Sequence, residues 1–128
     1  VFGCSRLPPQ TFEGVIPFSI STQYLDDTVL LMARGEIDRA ADPACDRALA
    51  ALPATLSSVV LDMQQVPFMD VTGLHFLCGL HQHTTRHRTR LHTRGWQAQP
   101  RYVLDSALHL DLQGADLNTV VRAALDRL

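Results

Sequence analysis

The chain contains no lysine: all 11 of its basic residues are arginine. Genomic composition accounts for such a bias, and the choice of Arg implies no phosphate-reading role of its own. Aromatic residues make up only 6% of the chain, and none is interleaved with the basic cluster around residue 90. A basic, aromatic-studded nucleic-acid platform is therefore not expected. No apolar run approaches the ~20 residues of a membrane-spanning helix. Val1 to Pro9 lack the charged start and long apolar stretch of a secretion signal. Cys4, Cys45 and Cys78 are odd in number and have no metal-ligand spacing, so they read as reduced thiols of a cytoplasmic protein. There is no Gly-rich phosphate loop, no Ser/His/Asp order and no paired-carboxylate site. The sequence does not read as an enzyme, and it implies no cofactor and no metal.

What is present is enough for one domain. With 128 residues, 46% of them hydrophobic, and a net charge of −2, the chain can bury a single core. Residues 1–16, with Pro8, Pro9 and two glycines, show no periodicity and read as a loose arm before a domain over 17–128. Phe18, Ile20, Thr22 and Tyr24 alternate with polar residues, a half-buried strand. Asp26-Asp27 is a turn signal, and Val29 to Ala33 is a second strand that completes a hairpin. Asp42-Pro43 starts a helix that runs toward Pro53. Val59 to Met63 is a buried strand, a helix follows Thr72 to about Arg86, and Arg90 to Arg94 alternate as a strand with one wet face. Pro100 opens a short helix through Ala107, and Leu108 to Leu112 suit a last short strand. Leu117, Val120, Val121, Ala124, Leu125 and Leu128 recur at helical spacing. The predicted fold is α/β, order β-β-α-β-α-β-α-β-α, with a mixed sheet that is parallel after the initial hairpin.

The most informative stretch runs from Val59 to Leu74. A β-branched run breaks at Pro67, and Asp70-Val71-Thr72-Gly73 leads into a helical pattern, so a hydroxyl stands at a helix N-terminus. The unpaired N–H groups and the macrodipole there favour negative charge. At ~100° per residue, Leu74, Phe76, Leu77, Cys78, Leu80 and His81 share one arc. Thr72, His75, Gly79, Gln82 and Arg86 fall opposite, on a stripe expected to face solvent and a partner. Gly79 would let that partner approach closely. For Thr72 the alternatives are a structural cap and a site of phosphorylation, which adds about −1.5 to −2 charge. Asp70 suits a helix cap and also crowds any added charge.

Three other features carry two readings each. Asp38 leaves the second strand near the Thr72 turn and also suits the start of the next helix. His83 and His87 stand four apart, a spacing that pairs metal ligands, but no third ligand accompanies them and His also complements a helix C-terminus. Arg86, Arg88, Arg90 and Arg94, with His87 and His92, form a strip without an acid. It reads as a solvated sheet face, as a surface for an acidic protein, as the rim of a ligand pocket on an open sheet face, or as a nucleic-acid adaptor.

The element order, Gly35-Glu36-Ile37-Asp38, Val59 to Met63 and Phe68-Met69-Asp70-Val71-Thr72-Gly73-Leu74 together resemble the STAS family. This is the domain shared by anti-sigma factor antagonists and the cytoplasmic tails of sulphate transporters, and the likeness covers roughly Phe18 to Leu128. The resemblance implies a non-enzymatic switch that binds an anti-sigma factor of the serine/threonine kinase type, so that a sigma factor is released. On this chain the phospho-acceptor falls on Thr72, the companion acid on Asp70 and a polar partner contact on Asp38. The resemblance also implies that a metal-dependent serine/threonine phosphatase resets the switch. Val71 stands where many members carry a second hydroxyl. A STAS-type ligand-sensing or scaffold module is the alternative within the same fold.

Overall fold

The computed structural model describes residues 17–110 and 115–126; the arm over 1–16 lies outside them. The chain order is β1 (Ser19–Leu25), β2 (Thr28–Arg34), α1 (Asp42–Ala50), β3 (Ser58–Gln65), α2 (Val71–Arg86), β4 (Arg90–Arg94), α3 (Ala98–Leu110) and α4 (Ala115–Asp126). The strands form one sheet in the order β1-β2-β3-β4. β1 and β2 are antiparallel, with Leu25 opposite Thr28 across a turn whose first residue, Asp26, takes φ +57°. β3 runs parallel to β2 and β4 parallel to β3, as expected for strands joined by helices.

Alternation along the strands decides the layers. Val29, Leu31, Ala33, Val59, Leu61 and Met63 are all at most 1% exposed and pack with Leu77, Leu80, Leu104 and Val121 in a single core. Their neighbours Leu30, Met32 and Val60, on the other face, are only half-buried. Among the described residues the sheet thus has one helix-covered face and one open face.

Two expected elements are corrected. Leu108 to Leu110 continue α3 and form no strand, while Asp111 and Leu112 lie outside the described residues. Leu104, Ala107 and Leu108 fall on one side of α3, where Leu104 is fully buried and Ala107 nearly so; this i, i+3, i+4 spacing overrides the short apolar run. Asp42 is the first residue of α1, not its cap. Asp38 caps a short 3₁₀ turn over Arg39–Ala41 that leads into the helix, its Oδ1 accepting from Ala40 N–H at 3.0 Å.

α2 ends in a hydrogen-bonded wrap. Thr89 N–H reaches the Thr84 carbonyl at 2.8 Å and Arg88 N–H the Thr85 carbonyl at 3.4 Å, with Arg88 at φ +56°. This is a Schellman ending with arginine at the left-handed position that glycine favours. Cys45 is buried on α1, and burial together with the flanking Asp42 and Asp46 pushes its thiol up to about 12.

Arg88→Gly is expected to raise stability by about 1 kcal/mol, read as a higher urea midpoint with an unchanged slope. The Cys45 thiol ionises from pH 9.0 in the unfolded chain but holds its proton to about 12 in the fold. Its contribution is complete below pH 9.0 and is lost as the pH climbs toward 12. Cys45→Ala should therefore flatten the alkaline limb of a stability-versus-pH curve. Alkylation of Cys45, mapped by peptide mass, should wait on unfolding.

Candidate functional site

The site is built where two loops leave the same end of the sheet. The loop after β2 and the loop after β3 pair through their backbones: Ile37 N–H donates to the Phe68 carbonyl and Asp70 N–H to the Ile37 carbonyl, both at 3.0 Å. From the other side the Gln99 side chain, in the first turn of α3, bonds Met69 twice. Its Oε1 accepts from Met69 N–H at 2.9 Å and its Nε2 donates to the Met69 carbonyl at 3.0 Å. Met69 is fully buried, and its side chain lies so close to Gly73 that a Cβ there would sit 2.5 Å from Sδ. The glycine that follows Thr72 is thus required by this contact.

On that platform Asp70 is the N-cap of α2, its Oδ1 accepting from Thr72 N–H at 2.8 Å. Thr72 is the second residue of the helix, and the capping reading of its hydroxyl does not apply. The expected exposure is corrected as well, since Thr72 is only 6% exposed. It stands one turn before Phe76, also buried, on the side of α2 against which α1 packs. Gly79 belongs to the same side: a Cβ on it would meet Leu49 of α1 at 2.8 Å. The close approach that glycine permits is used within the molecule. The stripe that faces solvent runs through Val71, His75, Gln82 and Arg86, with Gly79 half-buried at its margin. The apolar pattern of α2 carries no signal of α1, whose Leu49 abuts Gly79.

Thr72 differs from the other buried polar residues. Asp62 accepts from Arg94 and Gln64, Thr84 donates to the His81 carbonyl, Thr89 to the Leu56 carbonyl, and Thr93 accepts from Trp96. Among the described residues the Thr72 hydroxyl has no hydrogen-bond partner. A buried hydroxyl left unsatisfied costs about 1–3 kcal/mol, so its presence asks for a reason other than stability.

The remaining candidates divide. Asp38 serves as a cap, yet Ile37 beside it ties its loop to the Asp70 turn, so both readings stand at one place. Gln82 and Arg86, with Asp46, Gly79 and His83, line a groove of about 360 Å³ between α1 and α2. A ring nitrogen of His83, Nε2, contacts the Pro53 carbonyl at 3.2 Å, and the His83 and His87 rings lie 4.6 Å apart. Among the described residues no group of three His, Cys, Asp or Glu side chains is placed to hold a metal ion. Arg94 pairs with buried Asp62 at 3.1 Å, which removes one free cation from the basic strip. None of the four cavities seen is lined by Arg90, His92 and Arg94 together.

The sequence did not point to Gln99, because a glutamine in a first helical turn carries no signal of the backbone it will clamp. Nor did it point to Phe68 and Tyr102. With Val71 they are 38%, 71% and 49% exposed and border a mostly apolar cavity of about 310 Å³ between α2 and α3. Large apolar side chains left in water together were the available clue.

A family model for the STAS domain matches residues 19–121. No curated protein matches the chain. Among solved structures, the anti-sigma factor antagonist SpoIIAA in its unphosphorylated form superposes with a TM-score of 0.60 at 16% identity, over 70% of this chain and 80% of that one. An anti-sigma factor antagonist from Mycobacterium paratuberculosis gives 0.57 at 21% identity, over 84% and 98%. A structure named Mglu gives 0.55 at 20% identity over 62% of this chain but 20% of its own. At these identities the structures speak for the fold alone. The family model spans most of the chain, and the mixed four-stranded sheet with its intervening helices agrees with it: the chain belongs to the STAS-domain family.

Proposed function

We propose that the chain is an anti-sigma factor antagonist, a binding protein without catalysis of its own, whose partner is an anti-sigma factor of the serine/threonine kinase type. The family and the antagonist folds it resembles support the general role. The observation that carries the switch is the Thr72 hydroxyl, buried and unbonded at the second position of α2. Among the described residues this hydroxyl takes part in no hydrogen bond, which leaves it available for a role in reactivity.

Burial sets the form of the switch. Thr72 as a residue is only 6% exposed, so in this reading transfer to its hydroxyl proceeds through an opened first turn of α2. Helix ends open more readily than helix centres. Once attached, a phosphate carrying about −1.5 to −2 charge does not return to that site beside the Asp70 carboxylate. The turn stays rearranged, and Phe68, Val71 and Asp70 leave the positions a partner would read. A loss of about 3–4 kcal/mol weakens binding roughly 100- to 1000-fold, enough to release the partner. A serine/threonine phosphatase restores the alcohol. Asp38, His75, Gln82 and Arg86 supply the rest of the contact surface, with Gly79 at the groove between α1 and α2.

Incubation with the cognate kinase and ATP, followed by peptide mapping, should place the phosphate on Thr72. Label elsewhere, with Thr72→Val still fully modified, rejects the site. Thr72→Val should also melt at or above the wild-type temperature, because it removes an unsatisfied buried hydroxyl of nearly equal shape; a large drop in melting temperature would restore a structural role. Gln99→Leu should loosen the Met69 clamp. Phosphorylation is then expected to speed up several-fold, with amide exchange at Asp70 to Gly73 faster in step, while global stability falls by about 1–2 kcal/mol.

A further inference from the structure

We propose that the open face of the sheet is a second interaction surface, separate from the Thr72 end, which takes an acidic amphipathic helix of a partner protein. The strand register lays out this face in rows. Gln23, Leu30, Val60 and His92 cross it in one row; Ser21, Met32, Asp62 and Arg94 form the next; and Leu25, Thr28, Ser58 and Arg90 the third. Leu30, Met32 and Val60 make a half-buried apolar strip along the middle. The β1 edge is neutral, with Ser21 and Gln23. The β4 edge is basic, with Arg90 and Arg94 exposed and His92 half-buried between them. The acid within these rows, Asp62, is buried and engaged by Arg94. Arg94 and Asp62 offset one another, so Arg90 gives these rows a net positive charge in a chain of net charge −2.

The layout selects the occupant. Four strands about 4.8 Å apart span roughly 14 Å between the outer two, close to the 10–12 Å diameter of one helix. The apolar strip is narrow, which matches the stripe of an amphipathic helix and leaves little for a bilayer to bury. Its cations lie on one side only, matching a helix whose carboxylates line one flank. These rows hold no Phe, Tyr or Trp on which a base would stack, and their one ring, His92, is half-buried, so nucleic acid fits poorly.

The test uses the full chain, labelled for NMR, and a synthetic helical peptide of about 18 residues with a leucine stripe and a glutamate flank. A twin carrying lysine in place of glutamate is the control. Saturable shifts should centre on the amides of Leu30, Val60 and His92. Arg90→Glu should weaken the acidic peptide about tenfold or more, and the lysine peptide should bind far more weakly. Thr72→Glu should leave the affinity unchanged, so that failure of the switch and failure of this surface are told apart. Equal binding by both peptides, no effect of Arg90→Glu, or shifts centred on Phe68 to Leu74 would overturn the proposal. So would acidic-peptide silence while duplex DNA or phosphatidylserine vesicles move the same amides.

Discussion

The turn that carries Asp70 and Thr72 depends on the backbone of Met69 being bonded from both sides. Ile37 pairs its flanking residues through Phe68 and Asp70, and the Gln99 amide completes the other edge. A loop held this way behaves like the middle strand of a miniature sheet. Because the Asp70 cap and Thr72 follow directly, the position of the α2 N-terminus is set by contacts from three elements: the β2 exit, the β3 exit and the start of α3. That arrangement couples α3 to the helix it faces. Displacing the first turn of α2 must break the Asp70 cap, disturb the Gln99 pair, or both, and each route reaches the apolar cavity that Val71 and Tyr102 border.

A buried, unsatisfied hydroxyl changes what kind of switch the site can be. A solvent-facing alcohol would accept a phosphate without consequence for the fold, and the signal would be charge alone. In the proposed switch, a phosphate on a residue that is buried in the closed turn would act on shape as well as charge. The cost of burying the hydroxyl lowers the energy needed to open the turn, and the cap and the glutamine clamp raise it. Their balance sets how often the alcohol is available, a local equilibrium separate from global stability.

Legibility in the sequence followed the range of the interaction. Local signals served well: the Asp26-Asp27 turn, the alternation of β2, the wet face of β4, the helix over α2 and the cap at Asp70 all lie within a few residues of their causes. The phase of α2 was right for Leu74, Leu77 and Leu80, which face the sheet, and for His75, Gln82 and Arg86, which do not. It failed at Thr72, which is buried, and at Gly79, whose surroundings are set by Leu49, 30 residues away. The strand expected at Leu108 failed because a short apolar run satisfies both periods, and packing of Leu104 and Ala107 decides between them. Gln99 was invisible for the strongest version of the same reason, since its partner lies 30 residues back along the chain and is backbone, which has no sequence.

The two ends of α2 also differ in electrostatic character, and this bears on how one small domain can serve two contacts. Glu36, Asp38 and Asp70 gather near its N-terminus, while Arg86, Arg88 and Arg90 gather where it ends and β4 begins. Sixteen residues of helix separate them by about 24 Å, well over two Debye lengths at physiological salt. A charge at Thr72 is therefore screened from Arg90, at the start of β4, whereas Arg94, opposite Asp62, lies toward the end of the sheet that leads to the Thr72 turn. In the proposed arrangement the Arg90 end of the open face keeps its charge whether or not Thr72 is modified. A partner held there would keep the domain in place while the other end binds and lets go.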